Sequence, residues 1–244
     1  MAEGGNRPFP RRAFLRRAGA AAGGALLGGE LLGGALPAEA VRTSYSRPST
    51  PDAALKTLIE GNRRYRQGRW QRRDYSPVGE RRAVAQKPFA AILACADSRV
   101  SPPLVFDVER GNVFAAHVAG NSVDTGTMGS LEYAVAVLGV HLIMVLGHSD
   151  CGAVKSAIEV ASGKKAFPAS TYGSIGAVVE AVVPAVQSIA PPARSLQSAI
   201  VANARRQAQL LSRSGPIVPA AVSAGSVRVV AAVYEISTGI VTLV

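Results

Sequence analysis

Short, almost wholly apolar runs alternate with longer helical patterns in this chain of 244 residues, and this alternation constrains the fold more than any other feature. The runs cover residues 89–94, 113–118 and 141–146, and a later one covers residues 227–236. Runs of this length without polar alternation are typical of strands buried on both faces. Because helical patterns separate such strands, we expect an α/β fold with a central, mostly parallel β-sheet flanked by helices.

Helical periodicity fills the segments around these runs. It predicts helices at residues 51–67, 127–138, 152–161, 174–189 and 194–212. Pro184 falls inside the fourth of these helices, where proline removes a backbone hydrogen bond, so we expect a kink or a break there. After Gly239 the chain is expected to turn into a last short strand at residues 240–244.

The first forty residues have the composition of a leader. Arg11 and Arg12 precede Phe14, and an alanine-, glycine- and leucine-rich stretch then leads to Ala38-Glu39-Ala40, a small-x-small cleavage site. This order resembles the twin-arginine export signal of bacteria, which implies a periplasmic or extracellular protein that folds before export. Because Glu30 interrupts the stretch, a membrane-spanning helix is the poorer interpretation, and no stable membrane insertion is expected after cleavage.

Basic charge is concentrated just after this leader. The predicted segments are a signal peptide at 1–40, a linker at 41–51 and a domain at 52–244, whose first part, 52–87, is a helical arm. The arm contains a basic cluster, defined as Arg63, Arg64, Arg66, Arg69, Arg72 and Arg73. Its interleaved aromatic residues allow a nucleic-acid interpretation. We favour a solvated helix with no nucleic-acid partner, because Leu55, Leu58 and Ile59 form the apolar stripe of an amphipathic helix.

Both cysteines of the chain follow predicted buried strands. Cys95 comes directly after the first strand, with Asp97 and Arg99 two and four residues on, and His148 and Cys151 follow the third strand. The carboxyl ends of parallel strands meet at one edge of a sheet, so we expect these side chains to converge. Cys151 also lies near the start of a predicted helix, where the helix dipole favours a thiolate.

Two cysteines, a histidine and a nearby carboxylate form a ligand set suited to tetrahedral zinc. The same positions allow a second interpretation, in which Cys95 and Cys151 form a disulfide and His148 is an ordinary polar loop residue. On spacing alone both interpretations stay open.

Four short motifs resemble those of the β-class carbonic anhydrases. They read Cys95-Ala-Asp-Ser-Arg-Val100, Ala119-Gly-Asn121, Ser130-Leu-Glu-Tyr-Ala134 and Gly147-His-Ser-Asp-Cys-Gly152. Residues 58–65 also resemble the N-terminal helix of that family, and residues 229–239 resemble its last strand and turn. The resemblance covers roughly residues 52–244 and implies a homodimer or a higher even oligomer, with the N-terminal helix lying on the partner.

The resemblance also implies the chemistry of the site. It implies one Zn²⁺ per subunit held by Cys95, His148 and Cys151, with Asp97 and Arg99 as a catalytic dyad. The implied reaction is the reversible hydration of CO₂ to bicarbonate and a proton, in which zinc activates the water. Two other functions remain: a zinc hydrolase of CS₂ or COS on the same scaffold, and a non-catalytic zinc-binding protein, which would need no such dyad.

Two departures from the family pattern bear on Asp97, which in this family either pairs with Arg99 or closes the site as a fourth zinc ligand. The family often has arginine near His117 and tryptophan at Ile92, both of which belong to an inhibitory bicarbonate site. Their absence predicts a site open to water at neutral pH. His117 is a candidate proton shuttle, although we favour an ordinary polar or interface role for it.

Overall fold

The structure is a computed structural model that describes residues 46–73 and 86–244, so the signal peptide expected at residues 1–40 lies outside the described residues. The strands are β1 (Ala90–Ala94), β2 (Val113–His117), β3 (Leu142–His148), β4 (Arg228–Tyr234) and β5 (Val241–Leu243). The helices are α1 (Pro51–Arg66), α2 (Pro102–Val105), α3 (Thr125–Ala136), α4 (Gly152–Ala161), α5 (Ala169–Tyr172), α6 (Ile175–Gln187), α7 (Leu196–Arg213) and α8 (Ile217–Ser223).

The five strands form one sheet in the order β2-β1-β3-β4-β5. β1 pairs with β2 and β3 in parallel, β3 pairs with β4 in parallel, and β5 is an antiparallel edge strand. Every residue of β1 and β3 is buried, as the unbroken apolar runs predict. The expected α/β fold with a mostly parallel sheet is therefore confirmed.

Helices cover both faces of this sheet. On one face, Leu58 of α1 and Phe106, just after α2, pack against the apolar side chains of β1 and β3. On the other face, Leu131 of α3 and Leu211 of α7 pack against alternate residues of the same strands. A fully buried side chain of this size contributes roughly 1.5–3 kcal/mol to stability. Helices α4 and α6 extend the core around the two cysteines at the carboxyl end of the sheet.

Helix α1 packs against the sheet of its own subunit. Ala54 and Leu58 are fully buried in the core, and Gly61 lies so close to the Phe106 carbonyl that a Cβ would overlap it. Asn62 donates to the carbonyls of Val105 (3.0 Å) and Gly239 (2.8 Å). The sheet of the same subunit thus covers the buried residues of this helix, and that the N-terminal helix also lies on a partner stays a prediction.

Part of the basic cluster also has a structural partner within the chain. The carboxylate of Asp107 is buried and accepts hydrogen bonds from Arg64 Nε (2.6 Å) and Arg73 Nη1. These two charge-assisted contacts tie the end of α1 and the segment after it to the loop after α2. Arg64 and Arg73 therefore anchor the arm, while the other four arginines of the cluster are exposed, and the absence of a nucleic-acid partner stays a prediction.

Several element boundaries differ from those the sequence predicts. α6 continues through Pro184 without a break, and β3 extends two residues further than predicted, so that His148 is its last residue. α1 begins at Pro51, the residue with which the predicted linker ends, and the Thr50 side chain caps it by accepting from the Ala53 N–H. In the described ranges, no helix is both long and apolar enough to cross a membrane.

Candidate metal centre

The cysteine and histidine side chains meet at the carboxyl edge of the sheet. Cys95 follows β1, His148 ends β3, and Cys151 is the N-cap residue of α4. β1 and β3 are hydrogen-bonded neighbours, with Ala94 opposite Leu146, so the register of the sheet determines the distance between the two segments. All three side chains are buried.

The three donor atoms are spaced as a metal site requires. They lie within 4.8 Å of one another, and the Sγ atoms of Cys95 and Cys151 are 4.0 Å apart. Tetrahedral zinc with bonds of about 2.3 Å to sulfur places two sulfurs roughly 3.8 Å apart. Both cysteines are free, and a disulfide would need a separation of about 2.05 Å. The geometry therefore favours the metal-site interpretation over the disulfide.

One ring nitrogen of His148 forms a hydrogen bond, and the other is available to bind a metal. Nδ1 lies 2.9 Å from the carbonyl oxygen of Ser149, which can only accept, so Nδ1 carries the proton in the neutral ring. Nε2 is buried with no hydrogen-bond partner among the described residues. A buried nitrogen lone pair without a partner is costly, and a metal ion would satisfy it.

The end of β4 and the two residues after it hold Ser149, whose carbonyl orients His148. The Ser149 N–H donates to the Tyr234 carbonyl (2.9 Å), and the Ser149 hydroxyl donates to Glu235 (2.9 Å) while accepting from the Ile236 N–H (3.0 Å). Three contacts therefore hold the residue whose carbonyl selects the imidazole tautomer. Sequence analysis could not have found these contacts, because a serine, a glutamate and backbone groups occur throughout the chain.

The two cysteine sulfurs differ in their surroundings. The hydrogen bond with Cys151, helped by His148 and by the Gly120 N–H at 3.3 Å, lowers the pKa of the Cys95 thiol. The same bond to Cys95, together with burial, raises the pKa of Cys151. Burial alone would lower the pKa of His148, but the nearby Cys95 sulfur reverses this and raises it. One sulfur of the pair is therefore readily available as an anionic ligand.

Asp97 and Arg99 form a bidentate ion pair beside the three donor atoms. Arg99 Nε and Nη2 donate to the two carboxylate oxygens of Asp97 at 2.9 and 2.8 Å, and the Arg99 N–H adds a third bond of 2.9 Å. These bonds hold the pKa of Asp97 well below its usual range. Asp97 Oδ2 lies 3.9 Å from His148 Nε2, so an ionised acceptor stands at the mouth of the metal site.

The other residues that the sequence singled out lie near the site or apart from it. His117 ends the edge strand β2, and its Nδ1 lies 3.3 Å from the Cys95 carbonyl. Ile92 is fully buried inside β1. The polar or interface role favoured for His117, and a site open to water rather than closed by Asp97, stay predictions.

Comparison with known proteins identifies relatives across most of the described chain. A sequence model of the family described as carbonic anhydrase matches residues 90–241. The Mycobacterium tuberculosis protein named Carbonic anhydrase 2 is 45% identical over 140 residues, which span 57% of this chain and 65% of that protein. A Pseudomonas aeruginosa carbonic anhydrase is 34% identical over 191 residues, or 76% of this chain and 85% of that protein.

A solved structure extends the likeness to three dimensions. The Coccomyxa β-carbonic anhydrase, determined in complex with acetazolamide, matches with a TM-score of 0.58 and 31% sequence identity. The match covers 66% of this chain and 74% of that one. The range that the family model matches, residues 90–241, includes Cys95, His148 and Cys151.

Proposed function

Because this chain belongs to the β-carbonic anhydrase family, we propose that it catalyses the reversible hydration of CO₂ to bicarbonate and a proton with one Zn²⁺ per subunit. The observation that carries the proposal is the cluster of Cys95, His148 and Cys151 with the Asp97–Arg99 pair beside it. Two sulfurs and an imidazole leave one position of a tetrahedral ion free for water.

Cys95, His148 and Cys151 would hold the ion. When bound, zinc lowers the pKa of a coordinated water, so that a nucleophile is available near neutral pH. The low pKa of Asp97 keeps its carboxylate ionised, so it can only accept a hydrogen bond. Arg99 holds both oxygens of that carboxylate and fixes the direction in which it accepts. The Asp97–Arg99 pair thus orients the attacking group relative to CO₂.

Stopped-flow CO₂ hydration by the purified protein of known zinc content tests this function. We expect activity that rises in proportion to zinc and is almost lost in Cys151→Ser, which should bind little zinc. Lys155→Ala is the matched control, because Lys155 lies one turn along α4 with an exposed side chain. A fully zinc-loaded wild type without hydration activity would refute the proposal, and preferential sulfide release from COS or CS₂ would favour the hydrolase instead.

We also propose that the protein acts as a homodimer or a higher even oligomer. Tyr133 and Val137, four residues apart at the C-terminal end of α3, are 47% and 62% exposed, which supports burial of this face by a second copy. Sedimentation equilibrium should give an even multiple of the subunit mass. Tyr133→Glu should shift the mass towards the monomer, and a wild type that stays monomeric at micromolar concentration contradicts the assembly.

Export by the twin-arginine route is a separate proposal, which rests on residues 1–40 and on their order alone. Replacing Arg11 and Arg12 together by lysine should leave folded, zinc-containing protein in the cytoplasm of the producing bacterium. Cell fractionation measures this, and an unchanged distribution of the double variant would rule the route out.

A further inference from the structure

A backbone amide points at one of the metal-ligand sulfurs. The Gly120 N–H donates to Cys95 Sγ at 3.3 Å, and both groups are buried. Gly120 has a φ of +72°, and a Cβ there would lie 2.9 Å from a Val182 methyl group. No residue type other than glycine fits this position without strain. Because glycine is itself flexible, the direction of its N–H depends on the groups that hold the surrounding turn.

Two amide side chains of α7 hold that turn. Asn203 Nδ2 donates to the Gly120 carbonyl at 2.8 Å. Gln207, one helical turn further along, donates from Nε2 to Asn203 Oδ1 at 3.1 Å and accepts at Oε1 from the Val123 N–H at 2.9 Å. The pair therefore makes hydrogen bonds to the turn at two positions, Gly120 and Val123.

The location of this pair is unusual for polar side chains. Asn203 and Gln207 are each only 1% exposed, on a helix face whose other buried members are apolar, namely Ala199, Ile200, Ala204, Ala208 and Leu211. A buried amide stabilises a fold little unless its partners are matched in geometry. Apolar residues would fill this part of the core equally well. The distinctive contribution of the two amides is therefore their hydrogen bonds to the turn.

We propose that Asn203, braced by Gln207, is a positioning residue that sets the hydrogen bond from Gly120 to the Cys95 sulfur and thereby sets how strongly this sulfur donates to the metal. The proposal rests on the proposed function in requiring a metal at Cys95. A hydrogen bond to a thiolate withdraws electron density from sulfur, and such partners of ligand atoms tune the metal and its affinity.

Cobalt(II) substitution provides a readout that is independent of catalysis. The sulfur-to-cobalt charge-transfer absorption reports electron density on the thiolates. Asn203→Leu removes the donor to Gly120 at similar volume, and we expect the band to move to longer wavelength as the sulfur regains electron density. Because Cys95 is then oriented less firmly, zinc loss to a chelator should accelerate about tenfold or more. Gln207→Met removes the brace on Asn203 and the acceptor for the Val123 N–H but keeps the donor from Asn203 to Gly120, so it should give a smaller shift in the same direction. This variant also keeps the test valid if Asn203→Leu does not fold.

Leu211→Ala is the matched control, because it opens a cavity on the same helix face while leaving every hydrogen bond that holds the turn in place. It should lower thermal stability while leaving the cobalt spectrum and the rate of zinc loss unchanged. An unshifted band in the folded Asn203 and Gln207 variants, or an equal shift in Leu211→Ala, would overturn the positioning role. Absence of any thiolate band in cobalt-loaded wild type would instead refute the metal site, and the proposed function with it.

Discussion

Arg99 is expected to affect catalysis through geometry, since it holds both oxygens of the Asp97 carboxylate in a fixed direction. Arg99→Ala removes both side-chain hydrogen bonds to Asp97, and we expect kcat to fall on the order of tenfold to a hundredfold as the acceptor loses its fixed direction. Arg99→Lys keeps the charge but not the planar fork, so it should recover only part of the rate. Stopped-flow hydration at matched zinc content measures both variants.

Arg228→Ala is the control for that comparison, because Arg228 also pairs with a carboxylate, Asp52, at an exposed position away from the metal site. Its kcat should equal that of the wild type. If Arg99→Ala keeps the wild-type kcat as well, orientation of Asp97 by Arg99 is not part of the mechanism.

Side-chain chemistry in the sequence identifies Cys95, His148 and Cys151, because their types and their positions after apolar runs carry the signal. The groups that orient them carry no such signal. The Gly120 N–H and the Ser149 carbonyl are backbone atoms that every residue has. Asn203 is one polar residue among several on a helix, and only the packing of α7 shows that it is buried.

Among the helices and strands, the sequence pattern predicts the strands and the longer helices and misses the short helices. The long helices and the strands were predictable, whereas α2, α5 and α8 were not, since helices of four to seven residues show too little periodicity. α6 also tolerates Pro184, because other residues and the surrounding core keep the helix in place around the missing N–H donor.

The start of α3 offers a test of a single element. The Asp124 carboxylate accepts from the Thr127 N–H at 2.7 Å, and the Thr127 hydroxyl closes the reciprocal capping box. Asp124→Ala should lower the free energy of unfolding by about 1 kcal/mol, while Asp124→Asn keeps a capping acceptor and should cost less. Urea denaturation at pH 7 measures both variants.

The pH dependence of this cap has a defined sign. Hydrogen bonds from Thr127 lower the pKa of Asp124 below its ordinary 3.8. A carboxyl group with a lowered folded-state pKa contributes stability that is complete above its unfolded value and disappears as the pH falls through the folded value. The difference between wild type and Asp124→Asn should therefore be constant above about pH 5 and change progressively as the pH falls below that. A difference that changes between pH 6 and 8 would contradict the assignment.

For the whole molecule, the metal should act as a link between distant segments. The ligands come from the ends of β1 and β3 and the start of α4, so an ion that binds only the folded state stabilises all of them together. Chelation of zinc should lower the Tm of the wild type, on the order of 10 °C for a gain of about 4 kcal/mol. Differential scanning calorimetry measures the shift.

Cys151→Ser should show a low Tm that the chelator hardly changes, while Lys155→Ala should behave as the wild type does. If removal of zinc leaves the wild-type Tm unchanged, the ion contributes nothing to stability, and the three donors are held in place by the sheet alone.

The hydrogen bonds of Asn62 also set an order of events during synthesis. This side chain reaches Gly239, 177 residues further along the chain, and accepts from the Val241 N–H at 3.1 Å. At 5–20 residues per second, a ribosome needs roughly 9 to 35 s to make the intervening chain. Helix α1 is therefore made early and completes its contacts late. For that interval α1 can pack on β1 and β3, but Asn62 lacks its partners at Gly239 and Val241, so the C-terminal end of the helix is not yet fixed to the last turn of the chain.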